Sequence, residues 1–423
     1  MIGILESPWV PCGVLFGLAL IARSIQGSWL APSVFPALVW SAYVVCPLVI
    51  LRDIVSPMTI WIIVLFVSSA QLGAFFSESA MVASSVNIEK RKQLSGVFTS
   101  RALRLALIFS AIALVGSVLF VRTAFEVTDS PFSWDGFWSL GAVMYGVTIA
   151  GDAQPWWFRL MRIWAFPAVV LGGMAFVTAS SWRKKSLGLL GLIPTLVMGL
   201  TLASRFATAL ALTCWVASYL GMKTIWNRGS VRFRKSVWLA GAGVFVAALV
   251  MYIALGILRG NEVDSTESAY SYVASNIFGY LVVFDNFVKS SAINHHSYGL
   301  YSLGGALELL GLAPRETAQG YEPVTLVGGA TTNIFTAFRG LIEDFSYPGA
   351  VLVLTIVGIL AGWAYTNTCR GKINQLPVLV AYYSFFLWSP INSAFYYNST
   401  ILGLLAAWIF IRQQGVRPHV AST

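Results

Sequence analysis

The sequence predicts an all-α polytopic membrane protein, with about eleven transmembrane helices and one large helical external loop. Three observations predict it. The 423-residue chain is 57% hydrophobic and 10% charged, against roughly 25% charged residues in soluble domains. A chain so apolar cannot hide all its side chains in a water-soluble core. Its apolar stretches run unbroken for about the 20 residues that carry a helix across a bilayer. Strands of a membrane barrel would instead alternate with period two, and in lipid only helices or closed barrels satisfy the backbone. The third observation is that the basic residues sort by side.

Eleven spans are expected, at roughly 9–22, 32–51, 57–76, 102–121, 160–180, 187–204, 206–222, 237–258, 346–366, 377–395 and 399–411. The segment before Arg23 has neither a basic n-region nor a small-residue cleavage site, so it reads as the first span and not as a leader. Assigning Lys223, Arg228, Arg232, Arg234 and Lys235 to the cytoplasm fixes every other loop by alternation. It puts 18 of the 27 Lys and Arg inside with 2 of the 17 acids, and leaves 9 and 15 outside. The N-terminus falls outside and the C-terminus inside. The net charge of +10 is therefore a topology signal, not the footprint of a nucleic-acid binder. Residues 1–423 read as a single transmembrane domain whose external loop, 259–345, forms a cover for an active site. Cys12, Cys46, Cys214 and Cys369 lie in spans or at the inner face, so no disulfide framework is suggested. No Cys/His spacing suggests a metal site.

Two external regions stand out. The region 122–159 carries Trp134, Phe137, Trp138, Tyr145, Trp156 and Trp157. That density fits a helix lying among lipid headgroups, either an ordinary aromatic belt or a platform for a lipid substrate. The loop 259–345 holds 9 of the 17 acidic residues and two of the three histidines. Loops longer than about 15 residues are usually functional or disordered, and this one is too apolar at 270–288 and 298–312 for disorder. A Gly-bearing turn at 326–329 precedes Thr331 and Thr332, either of which can cap a helix running to Phe345.

On that helix Thr332, Thr336, Arg339 and Glu343 form one polar stripe. Asn333, Ala337, Gly340 and Asp344 form the next, and its small central residues leave room for a ligand. The plainer reading makes Arg339 and Glu343 an i,i+4 ion pair on a solvated face, which flanking Phe335, Phe338, Leu341 and Phe345 oppose. Arg205 and Arg259 each stand at the external end of a span. Singly, such arginines are snorkelling anchors. Meeting Arg339 above the outer leaflet, they would suit a diphosphate, which guanidinium pairs bidentately. His295 and His296, just before Tyr298, are candidate general bases for a sugar hydroxyl, as are Asp285 and Asp344. Asp344 stands about 140° around the helix from Arg339, so it is expected to be mainly structural or to orient an arginine, with one of the histidines serving the acceptor site.

Three stretches resemble the oligosaccharide repeat-unit polymerases, the Wzy-type O-antigen and capsule polymerases. The strongest runs from Thr332-Asn333 through Thr336, Arg339 and Asp344-Phe345 to Pro348-Gly349. It is similar to that family's Asn-x-(aromatic)-Thr-x-x-Arg…Asp-Phe-Gly-x-x-Gly signature, with Ser346 where the family has glycine. Ala203-Ser204-Arg205 resembles the family's Ser-Arg at a span junction, and Leu30-Ala31-Pro32 through Trp40 its Pro…Phe…Trp pattern.

The resemblance implies a glycosyltransferase of GT-C-like, lipid-donor architecture in a bacterial inner membrane, with its site facing the periplasm. It implies an undecaprenyl-diphosphate-linked oligosaccharide donor, a lipid-linked repeat unit as acceptor, and a chain-length-regulating co-polymerase as partner. In that setting Arg205, Arg259 and Arg339 would neutralise the leaving diphosphate, with no metal or other cofactor required. Asn333, Thr336, Tyr298, Asp285 and Glu343 would contact substrate. An O-antigen ligase, using the same donor with a lipid A–core acceptor, is the nearest alternative. A lipid-linked oligosaccharide transporter is a more distant one, because charges crowd at the outer ends of spans and do not line a path through them.

Overall fold

The computed structural model describes residues 7–51, 55–79, 88–128, 161, 163–201, 205–226, 274–275, 277–290, 296–313, 324–325, 331–332 and 334–415. These residues are overwhelmingly helical: α1 Trp9–Gln26, α2 Phe35–Ile50, α3 Pro57–Ser79, α4 Ile88–Thr128, α5 Ala165–Thr178, α6 Trp182–Leu187, α7 Leu192–Thr201 and α8 Arg205–Trp226. After them come α9 Tyr280–Ser290, α10 Gly304–Leu309, α11 Ala337–Cys369, α12 Leu376–Trp388 and α13 Asn398–Gly415. One short ladder, β1 Val324–Thr325 with β2 Thr331–Thr332, pairs antiparallel. Among the described residues four helices are long and apolar enough to cross a membrane: Trp9–Gln26, Pro57–Ser79, Phe98–Glu126 (within α4) and Ala337–Cys369. The expected segment 237–258 lies outside the described residues, as does 129–160, which holds the aromatic-rich region. The other expected segments each coincide with a helix.

The most extensive contact is between α3 and α11. Its cause is a seam of small residues. A methyl on Gly73 would sit 2.1 Å from the Thr355 carbonyl oxygen, and one on Gly358 2.1 Å from that of Ala70. One on Gly362 would sit 2.4 Å from that of Ala74. Such backbone approach is how helices associate in lipid, where no hydrophobic effect drives them together. Pairs 70 with 358 and 74 with 362 rise together in number, so the two helices run parallel. The alternation expected from the sequence likewise gives the third and ninth expected segments one direction. By contrast Thr99 bonds Thr178 while Gly116 meets Met161, so α4 and α5 run antiparallel, as consecutive segments should. α5 is the hub of the second half of the bundle, touching α4, α8 and α13.

Above the seam the core is aromatic. Phe338 stacks on Trp40 at 4.6 Å and meets Phe66 edge-on at 5.3 Å, tying α11 to α2 and α3. Leu30 to Trp40, the stretch with the Pro…Phe…Trp pattern, is held by carbonyl acceptors. The Tyr382 hydroxyl donates to the Pro32 oxygen at 2.8 Å and the Tyr383 hydroxyl to the Leu30 oxygen. Glu78, at the far end of α3, accepts from the Ser33 backbone N–H and from its hydroxyl.

α11 is two helices in one. Ser346 sits at φ 65°, ψ 174°, inside the run and far from helical values. Pro348 follows, without an N–H to give to the preceding turn. The break separates 337–345, the last piece of the expected loop 259–345, from the apolar stretch beyond it.

Candidate functional site

The helix before the break begins later than the sequence suggests. Thr331 and Thr332 lie in β2, and the cap is Thr336, whose hydroxyl accepts the Arg339 backbone N–H at 3.3 Å. Thr336 is buried in that role, so the structure gives it a capping task. Thr332 instead accepts the Ile334 N–H. The four-residue polar stripe therefore shrinks to Arg339 and Glu343.

Those two form an ion pair, Nε to Oε1 at 2.9 Å, with side chains 20% and 15% exposed. The pair of the plainer reading is real, but its face is not solvated. The guanidinium carbon lies 4.6 Å from the Phe335 ring centroid and 4.8 Å from that of Phe287, over the face of each. Each contact is worth roughly 0.5–2 kcal/mol depending on desolvation, and together they fix the plane of a side chain that is otherwise rich in rotamers. Neither ring was singled out as a site residue in the sequence. Phe335 is four residues from Arg339 and readable as a neighbour, but Phe287 has no sequence signal at that distance. Tyr301 is beside this group. Burial pushes its phenol up from the usual range, the Glu343 carboxylate adds to this, and the Arg339 guanidinium opposes it.

The small residues beside Arg339 do not make room for a ligand. A methyl on Gly340 would meet the Tyr301 Cβ at 3.3 Å, so another part of the loop fills that space. Asp344 is 1% exposed. It accepts from the Tyr301 N–H at 3.2 Å, the Ser302 N–H at 2.7 Å and the Ser302 hydroxyl at 2.5 Å. With Ser297 N–H donating to the Glu343 carbonyl at 3.1 Å, this pins 297–302 onto the helix. Asp344 is an anchor.

Asp285 is an anchor too. It accepts from the Ser56 N–H at 3.0 Å and the Thr59 hydroxyl at 2.6 Å, and pairs with Lys289 at 2.5 Å. Its carboxylate thereby sits at the N-terminus of α3, where the helix dipole favours negative charge. Both carboxylates considered as bases hold the loop in place. His296 is exposed, and Tyr298 is 80% exposed at φ 49°. Arg259, His295 and Asn333 lie outside the described residues, as does the side chain of Arg205, whose backbone begins α8. The expected meeting of three arginines thus falls outside them. Among the described residues no cluster of His, Cys, Asp and Glu could hold a metal ion. No family model, curated protein or solved structure matches the chain.

Proposed function

We propose that this protein is a glycan polymerase. It would transfer a lipid-diphosphate-linked oligosaccharide to the end of another lipid-linked repeat unit, on the outer face of a bacterial inner membrane. The observation that supports this best is Arg339. It is a half-buried guanidinium oriented by two aromatic faces and one carboxylate, where a loop helix bends into an apolar helix. A lipid diphosphate departs at such a membrane border. In the reaction an acceptor hydroxyl oxygen bonds to the anomeric carbon, the bond from that carbon to the diphosphate breaks, and the hydroxyl proton passes to a base, for which this reading takes His295 or His296. Negative charge grows on the leaving diphosphate. A cation fixed in advance, partly shielded from water, stabilises that charge without reorganising. The reading carries with it eleven crossings, a GT-C-like architecture and a periplasmic loop 259–345, with Arg205 and Arg259 completing the diphosphate site.

The test is reconstitution. Purified protein in lipid, given lipid-linked repeat units alone, should produce a ladder of products spaced by one unit. Transfer only after a lipid A–core acceptor is added would make the protein a ligase. No transfer to either acceptor would overturn the reading.

A further inference from the structure

α9 is built with two opposed faces. Val283 and Phe287 are four residues apart and share one face. Asp285 is two residues from each, about 200° around the axis. The first face serves Arg339. Phe287 lies under the guanidinium, and Val283 packs with Phe335, the other ring that the guanidinium covers. The second face is bolted down. Asp285, 2% exposed, binds Ser56 and Thr59 at the start of α3. Tyr280, in the first turn and by spacing on the Val283–Phe287 side, ties α9 down as well, its hydroxyl donating to the Tyr43 carbonyl on α2. Nothing about α9 requires both rings of the Arg339 contact to depend on one short helix, yet they do.

We propose that α9 is a brace for the Arg339 guanidinium, with Asp285 as a positioning residue acting through Phe287 and Phe335. Its value for transfer rests on the polymerase reading, but the brace does not. Asp285 is moved by this from proton acceptor or substrate ligand to the part that holds the cation in its working plane. The Arg339 plane decides whether its N–H groups meet a phosphate two at a time, so loosening α9 lowers turnover without removing any group that touches substrate.

The experiment uses the full-length protein in lipid. Phenylglyoxal, which modifies guanidinium, is applied to wild type, Asp285→Ala, Thr59→Val, Phe287→Leu and Phe287→Tyr, and modification at Arg339 is followed by peptide mass spectrometry. Asp285→Ala, Thr59→Val and Phe287→Leu should each speed modification of Arg339 several-fold, while Phe287→Tyr keeps the wild-type rate. If Asp285→Ala does not fold, the contrast between Thr59→Val and Phe287→Tyr decides. An Arg339 rate unchanged in the folded Thr59→Val and Phe287→Leu proteins overturns the brace. The same proteins are then assayed for transfer, where kcat should fall with KM little changed. Faster modification in the variants with no transfer even by wild type upholds the brace and removes the polymerase reading.

Discussion

Arg339 differs from an ordinary surface arginine by what surrounds it, and its substitutions should reflect this. Arg339→Ala should reduce chain growth by about 10²–10³-fold, the loss seen when a prearranged stabiliser of developing charge is removed. Arg339→Lys should stay badly impaired, because an ammonium neither stacks on Phe287 and Phe335 nor bonds bidentately. The product ladder measures both, and near wild-type chains from Arg339→Ala would remove Arg339 from the reaction. Asp344→Ala should instead act on folding. It strands the N–H donors of Tyr301 and Ser302, at a cost on the order of 3 kcal/mol, read as a lowered melting temperature of the purified protein. Asp344→Asn, which still accepts, should cost less. At this scale the sequence made Arg339 and Glu343 legible, because their spacing is local. The task of Asp285 was not legible, because its partner Thr59 lies 226 residues away; a structural task for Asp344 was readable from its place about 140° around the helix from Arg339, but its partner Ser302, 42 residues away, was not.

The break in α11 makes an element-scale test. Ser346 holds a backbone conformation that essentially only glycine adopts without strain, and it is the position where the resembled family carries glycine. The serine thus keeps the turn that its side chain disfavours. Ser346→Gly should stabilise the protein by about 1 kcal/mol, the relieved strain being partly offset by glycine's greater freedom when unfolded. A melting temperature that falls would mean that the Ser346 side chain supports the bend. Helix existence was readable from apolar run length. The start of this helix was not, since Thr331, Thr332 and Thr336 are all competent caps. Pairing of Thr331–Thr332 with Val324–Thr325 takes the first two out of contention, and a sequence window does not contain that competition.

For the whole molecule, the sorting of basic residues gives a side to each loop. A cysteine at Leu312, which is exposed, should react with an impermeant thiol reagent in cells whose outer membrane is permeabilised. A cysteine at Lys184, also exposed, should react only once the inner membrane is opened. The reverse pattern would invert the topology. Relative helix direction follows from alternation alone, and the α3–α11 and α4–α5 contacts agree with it. The α3–α11 partnership itself was not readable, because Gly73, Gly358 and Gly362 look like any other small residues until the two helices are brought together. That seam has a mechanical consequence. From the top of α3 the contacts pass through Asp285 to α9, through Phe287 to Arg339, down past Ser346 into α11, and across the glycines back to α3. The members form a closed truss, not a lever. A force applied at Arg339 reaches α3 twice, near Thr59 through α9 and near Gly73 through α11, so it is shared between two helices and not taken by one.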